Sequence, residues 1–298
     1  MATIVERVNE LPLIVITGPT ASGKTALAIK LAKEYNGEIV CADSRTVYKV
    51  LDIGTAKPTL EEQAMVPHHM LDQVFPDEPY NLARFQRDAQ AAIRDIRTRG
   101  KVPFLVGGSG LYIDAIVLNY ELRAEPDPAQ RAAFEAMTLE QLFDYSNKHN
   151  INLPNNLYNK RYVIRAIEQG GVNTSRQGFP ASDTTAIAIK TESENLKQRI
   201  QQRAEKMFAL GLLTEASIAV EHYGWEVPPL RGQVYQLCRR LLNNELSQEQ
   251  AISALAHSDW QLARKQMTWL RRNEWVNWLS LDEAEKVLRS ILTRSSAR

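Results

Sequence analysis

The hydrophobic pattern opens with a continuous β-branched run, LIVIT (13–17), followed by a glycine-rich loop and then by TALAIKLAKEY (25–35), where apolar residues recur at helical spacing. That order predicts strand, loop and helix. Gly37 closes the helix, and EIVCAD (38–43) reads as a second strand. A helix from about Leu82 to Arg99 leads into a third strand at VPFLVGG (102–108). Strands alternating with helices in this way predict an α/β fold with a parallel sheet in three layers.

From 123 to 183 the pattern changes. No strand period is visible, Pro126, Pro128 and Pro154 punctuate short helical pieces, and LYNKRYVIRAIEQGG (157–171) reads as a helix closed by two glycines. TAIAIK (185–190) returns to the sheet. Helices follow at 194–211, Val234 to Leu242, Gln248 to Ala256 and Trp260 to Arg271, and the RSSAR end is expected to fray. The expected organisation is a core of 1–123 plus 184–298, with a helical domain inserted at 124–183 and helices ending the chain.

Composition narrows the class only a little. The longest apolar runs are too short to span a bilayer, and MATIVERVNE (1–10) has no apolar signal-peptide core, so no membrane association is expected. Cys41 and Cys238 form no framework and are expected to be buried thiols in a reducing cytoplasm. With 36 basic and 35 acidic residues the net charge of +1 neither demands nor excludes a nucleic-acid partner, so clustering has to decide. The basic segments NKRYVIR (159–165), CRRLL (238–242) and ARKQMTWLRR (263–272) all lie in the second half.

The chemistry is concentrated in GPTASGKT (18–25), which matches G-x-x-x-x-G-K-[ST] through Gly18, Gly23, Lys24 and Thr25. Gly18, Pro19, Thr20, Ala21, Ser22 and Gly23 form a turn whose backbone N–H groups face phosphate oxygens. Lys24 adds a charge there, and Thr25 offers a hydroxyl to Mg²⁺. Asp43 ends the second strand, at the sheet edge where parallel folds bind ligands. Its carboxylate suits Mg²⁺, reached through water, or a proton taken from a nucleophile. The chain shows neither a plain Walker B aspartate with a water-positioning partner nor a guanine-reading Asn-Lys-x-Asp. A small-metabolite kinase stays open at this point, because such kinases also carry an acid after strand two.

Three further stretches, DSRTVYKVLDIGTAKP (43–58), LVGGSGLY (105–112) and ARKQMTWLRR (263–272), join this loop in resembling the tRNA dimethylallyltransferases. The resemblance runs from about Pro12 to Trp278 and is weakest between 124 and 155. It implies a prenyl transferase that moves a dimethylallyl group from dimethylallyl diphosphate to N6 of adenosine 37, beside the tRNA anticodon. Diphosphate would be the leaving group, held by the loop with Mg²⁺. The implied catalytic residues are Lys24, Asp43 as proton acceptor, Ser109 where threonine is common, and Arg231. The implied tRNA contacts are Asp43, Ser44, Arg45, Thr46, Ser109, Arg131, Arg161, Arg165, Arg231, Arg264, Lys265 and Arg271, clamping an anticodon stem-loop onto a monomer. Prenylation of free adenine nucleotides and a non-catalytic RNA-binding descendant are the remaining alternatives. The first would not need the basic helices, and the second would not need Lys24, Thr25, Asp43 and Ser109.

Other residues invite weaker readings. His68 and His69 lack a helical metal-ligand spacing, although a histidine near this place is common in the resembling family. Trp260, Trp269, Trp275 and Trp278 suit core packing better than base stacking. Val234, Gln236, Asp259 and Trp260 depart from the family pattern. The expectation is an intact donor side with an altered RNA side, Asp259 adding repulsion toward phosphate.

Overall fold

The computed structural model describes residues 11–122, 127–171 and 178–296. The N-terminal stretch 1–10, Pro126 and the last two residues lie outside the described part. The described residues fall into two compact units, one within Met1–Val117 and Phe179–Arg298, the other within Leu118–Gly178.

In the first unit, strands β1 (Leu13–Thr17), β2 (Gly37–Cys41), β3 (His68–His69), β4 (Val102–Gly107), β5 (Thr184–Ile189) and β6 (Asn277–Leu279) form one sheet in the order β3-β2-β4-β1-β5-β6. Every pairing is parallel; β1, for instance, sets Ile14 against Phe104 on one side and Thr185 on the other. All positions of β1, β2 and β4 are buried, so both faces of the sheet are covered. This is why their sequences read as continuous apolar runs instead of alternating ones.

Helices α1 (Lys24–Glu34), α2 (Leu60–Met65), α3 (Leu82–Thr98) and α4 (Gly110–Val117) connect the first four strands and follow the fourth. Helix α3 begins where the Asn81 side chain accepts the Arg84 N–H, and it buries Phe85, Ala89, Ile93 and Ile96 on one face. The second unit carries α5 (Pro128–Ala136), α6 (Leu139–Lys148) and α7 (Lys160–Glu168), packed on Phe134, Leu142, Val163, Ile164 and Ile167. Helix α7 starts at Lys160, three residues later than its apolar pattern suggested.

After β5 the chain continues as α8 (Ser193–Ala209), α9 (Leu212–Tyr223), α10 (Gln233–Leu242), α11 (Gln248–Leu270) and, beyond β6, α12 (Leu281–Ser296). Two expectations are corrected here. The helices expected at 248–256 and 260–271 are a single helix, α11, because no glycine or proline lies between them and Ser247 and Gln250 close a capping box at its start. The expected frayed end is helical through Ser296, since α12 buries Ala284, Leu288 and Leu292. The sequence reading also passed over α9 and β6. Asp183, placed beforehand in the inserted domain, bonds within the core unit: its carbonyl accepts the Leu13 N–H and its carboxylate pairs with Arg97 at 2.6 Å.

Candidate active site

The loop between Thr17 of β1 and Lys24 of α1 is built for an anion. Gly23 has φ +90°, a left-handed conformation that strains any residue with a Cβ. The chain thereby turns straight into α1, whose first N–H groups have no helical partner. Lys24 Nζ donates to the Pro19 carbonyl at 3.2 Å. Burial, helped by the nearby Arg203 guanidinium and opposed by Asp43, draws this ammonium down to about 8. Two later helices hold the loop: Arg203 of α8 donates to Thr20 Oγ1, and Gln266 Oε1 of α11 accepts the Thr20 N–H at 2.9 Å.

Opposite the loop, β2 and β4 end in close contact. A Cβ on Gly107 would lie 2.0 Å from the Ala42 carbonyl oxygen, so only glycine permits this approach. Beyond it Ser109 donates its N–H to Ala42 O at 3.3 Å, and its Oγ accepts the Ser44 N–H at 3.2 Å. The half-buried Asp43 accepts the Arg45 N–H at 2.8 Å. Lys24, Thr25, Asp43, Ser44, Arg45, Thr46, Ser109 and Lys265 thus line one crevice of about 1370 Å³, larger than a single small-ligand site needs. Among the residues expected from sequence, the structure brings these together with Thr20, Ala21 and Gly23 of the loop.

One wall of the crevice is the segment from Asp52 to Thr59, shaped by residues the sequence reading missed. Glu215 of α9 accepts the backbone N–H groups of Asp52, Ile53 and Gly54 at 2.7, 2.6 and 2.8 Å, and the Tyr235 hydroxyl donates to it at 2.9 Å. Lys57, itself buried, donates to the Tyr48 carbonyl at 2.9 Å and pairs with Asp72 at 2.6 Å and with Asp52. Glu215 has no sequence signal, since a glutamate in GLLTEA reads as a solvated helix face. Gln266 sits inside a noticed motif, and its function shows only in three dimensions.

The remaining expected residues lie elsewhere. Arg231, Arg264 and Arg271 are exposed and do not line the crevice, and Arg231 lies 3.4 Å from Glu226. In the helical unit, Arg131 makes two bonds to Glu168 at 2.7 and 2.6 Å, Arg165 lies 3.6 Å from the same carboxylate, and Arg161 is exposed. Trp260, Trp275 and Trp278 pack in small apolar clusters, as expected, whereas Trp269 donates to Asp114 at 2.8 Å and lines the crevice. His69 pairs with the buried Glu38 at 2.7 Å, while His68 lines the crevice and bonds the Val66 carbonyl. Among the described residues no three His, Cys, Asp or Glu side chains group as a metal site. Cys41 and Cys238 are buried free thiols, pushed up to about 12 by burial.

The departures are also reassigned. Gln236 Nε2 bonds the Leu230 carbonyl, and Val234 packs on the apolar cluster beneath α10. Asp259, expected on an RNA-facing side, is buried in α11 and lines the crevice near Arg203. As for a metal, the Thr25 hydroxyl and Asp43 carboxylate are hard oxygen donors facing one crevice. That is the donor set Mg²⁺ takes together with substrate phosphates, so these residues fit it.

A parallel sheet with a phosphate loop on β1, and with a carboxylate and a hydroxyl at the ends of β2 and β4, defines an α/β phosphate-loop protein whose crevice admits a second reactant. Comparison with known proteins narrows the class. The family description "IPP transferase" matches residues 46–273, and "isopentenyl transferase" matches 11–74. The chain belongs to the IPP transferase family. A tRNA dimethylallyltransferase of Roseiflexus sp. (strain RS-1) is 41% identical over 291 residues, covering 92% of this chain and 95% of that protein. The crystal structure of a tRNA isopentenylpyrophosphate transferase from Bacillus halodurans aligns with TM-score 0.72 at 32% identity, over 96% of this chain and 98% of the other. A eukaryotic dimethylallyltransferase acting on tRNA shares the fold, with TM-score 0.74 at 24% identity over 90% of this chain and 73% of that one.

Proposed function

We propose that this protein is a tRNA dimethylallyltransferase that moves a dimethylallyl group from dimethylallyl diphosphate to N6 of adenosine 37, in the anticodon stem-loop, and releases diphosphate. The observation that carries this reading is the single crevice joining the phosphate loop to Asp43 and Ser109 in a chain of the IPP transferase family. The loop N–H groups, Lys24 and Arg203 hold the diphosphate and stabilise the charge it gathers as the carbon–oxygen bond breaks. The N6 amine is a weak nucleophile, because its lone pair is delocalised into adenine. Asp43 accepts the N6 proton as nitrogen attacks C1 of the prenyl group. Ser109, anchored between Ala42 and Ser44, orients the reactants beside it. Thr25, with Asp43 reaching it through water, would hold Mg²⁺, which would supply charge neutralisation on the diphosphate.

The target base leaves its stack to enter the crevice, at a cost of about a few kcal/mol. Exposed arginines of the core, Arg264 and Arg271, and Arg161 of the helical unit meet RNA phosphates. Free thiols and a tRNA substrate support a cytoplasmic site, and among the described residues no helix is long and apolar enough to cross a membrane. Diphosphate release measured with unmodified tRNA tests the reading. Release should require both dimethylallyl diphosphate and RNA and be indifferent to ATP. ADP formation from ATP, with no diphosphate from the prenyl donor, would replace it with the kinase alternative.

A further inference from the structure

The phosphate end of the crevice contains a carboxylate that the reaction above does not use. Asp259, on the α11 face that also presents Gln266, is 7% exposed and lines the crevice, and its Oδ2 has no hydrogen-bond partner within the protein. The nearby cation is Arg203 of α8, the helix packed against α11. Arg203 is itself half-used: one nitrogen bonds Thr20 of the phosphate loop, while its buried Nε has no partner. The other charged groups lining the crevice are Arg199 and Lys206 on α8, Lys24, Asp43 and Arg45 around the loop, Asp52, Lys57, Glu62 and Asp72 from the segment after β2, and Lys265 on α11 itself.

A buried carboxylate oxygen without a partner is costly, and a diphosphate entering the crevice that this carboxylate lines adds like-charge repulsion to that cost. We propose that Asp259 takes up a proton from solvent when a diphosphate binds and donates the resulting O–H to a phosphate oxygen, so that donor and product are held according to the protonation of this one side chain. The proposal rests on reading the crevice as a diphosphate site. The geometry supplies the reason: the protonated acid is a donor where the ionised acid is only an acceptor, and it settles both the orphan oxygen and the repulsion. Burial, against the pull of Arg203, already raises this carboxyl above its ordinary range and so eases the uptake. By linkage, protons and diphosphate strengthen each other by the same factor. Product diphosphate therefore leaves more readily as pH rises.

Calorimetric titration of inorganic diphosphate with Mg²⁺, in two buffers of different ionisation enthalpy, counts the protons taken up. Lys24 and the diphosphate contribute equally in wild type and variants, so the difference between proteins reports Asp259. Wild type should take up more protons than Asp259→Asn. The amide variant should bind about fivefold or more tightly at about pH 8, with a flatter pH dependence. Asp259→Ala should flatten the dependence as well, yet bind less tightly than the amide, which still donates. Equal proton uptake and equal pH dependence in all three proteins would overturn the proposal. No diphosphate binding by wild type would overturn the reading of the crevice, and the proposal with it.

Discussion

Asp43 and Glu38 lie on or just beyond the same strand and have opposite duties. Asp43 stands half-buried past the C-terminal end of β2, where its Oδ1 accepts the backbone N–H of Arg45, leaving Oδ2 for the amine proton. Asp43→Asn should lower kcat by about 10²-fold or more while leaving RNA affinity nearly unchanged, as single-turnover assays and filter binding will measure. Full turnover in this variant would remove Asp43 from the base role. Glu38 sits near the strand's other end, buried, and accepts bonds from Arg99, Lys101 and His69. The Arg99 bonds, followed by those of Lys101 and His69, hold its carboxyl well below the ordinary value near 4.5. That stabilisation is complete above the unfolded value and is lost as pH falls below it toward the depressed native one. Glu38→Gln should cost about 2 kcal/mol near neutrality in urea unfolding, and the gap to wild type should close on acidification below the ordinary value. A gap that does not change with pH would contradict this role. Of these residues, Asp43 was legible because strand ends in parallel sheets face ligands, whereas nothing local distinguishes the ion-paired Glu38 from a solvated glutamate.

At the scale of elements, β1, β2, β4, β5 and the phosphate loop were legible because continuous apolar runs and a glycine-bounded loop are local signals, whereas the short β3 and β6 carry no such run. The long C-terminal helices were legible in type and wrong in division: α11 was expected to break around His257 to Asp259, yet Ser258 and Asp259 line the crevice and all three residues keep the helical spacing. The wall formed by the Asp52–Thr59 segment was visible as a motif, but its support was not. A single carboxylate on α9 gathers three successive N–H groups from more than 160 positions away. Glu215→Gln places an amide N–H against those donors. It should lower kcat/KM about tenfold through loss of the crevice wall, with unfolding stability reduced by about 1–3 kcal/mol. Steady-state kinetics alongside a thermal melt will show both, and unchanged kinetics would mean that the segment holds its shape without Glu215.

At the scale of the molecule, the α/β core and a separate helical unit were both foreseen from the loss of strand period after residue 123. The unit is bounded at Leu118–Gly178 because Phe179 onward packs with the core. The basic residues of the helical unit illustrate the limit of sequence reading. Arg131 and Arg165 look like phosphate ligands in a linear string, but in the fold both lie against Glu168. Arg161 is left exposed on the same helix. The phosphate loop, Asp43 and Ser109 converge without any such competition, so the donor side is the firmer part of the account. The most direct measurement follows the prenyl group itself. Purified protein is incubated with labelled dimethylallyl diphosphate and an unmodified anticodon stem-loop, and the RNA is digested to nucleosides for mass analysis. The account predicts one labelled nucleoside, adenosine carrying the prenyl group on N6 at position 37. Label that stays on the diphosphate, or appears on free adenine nucleotides but never on RNA, would contradict it.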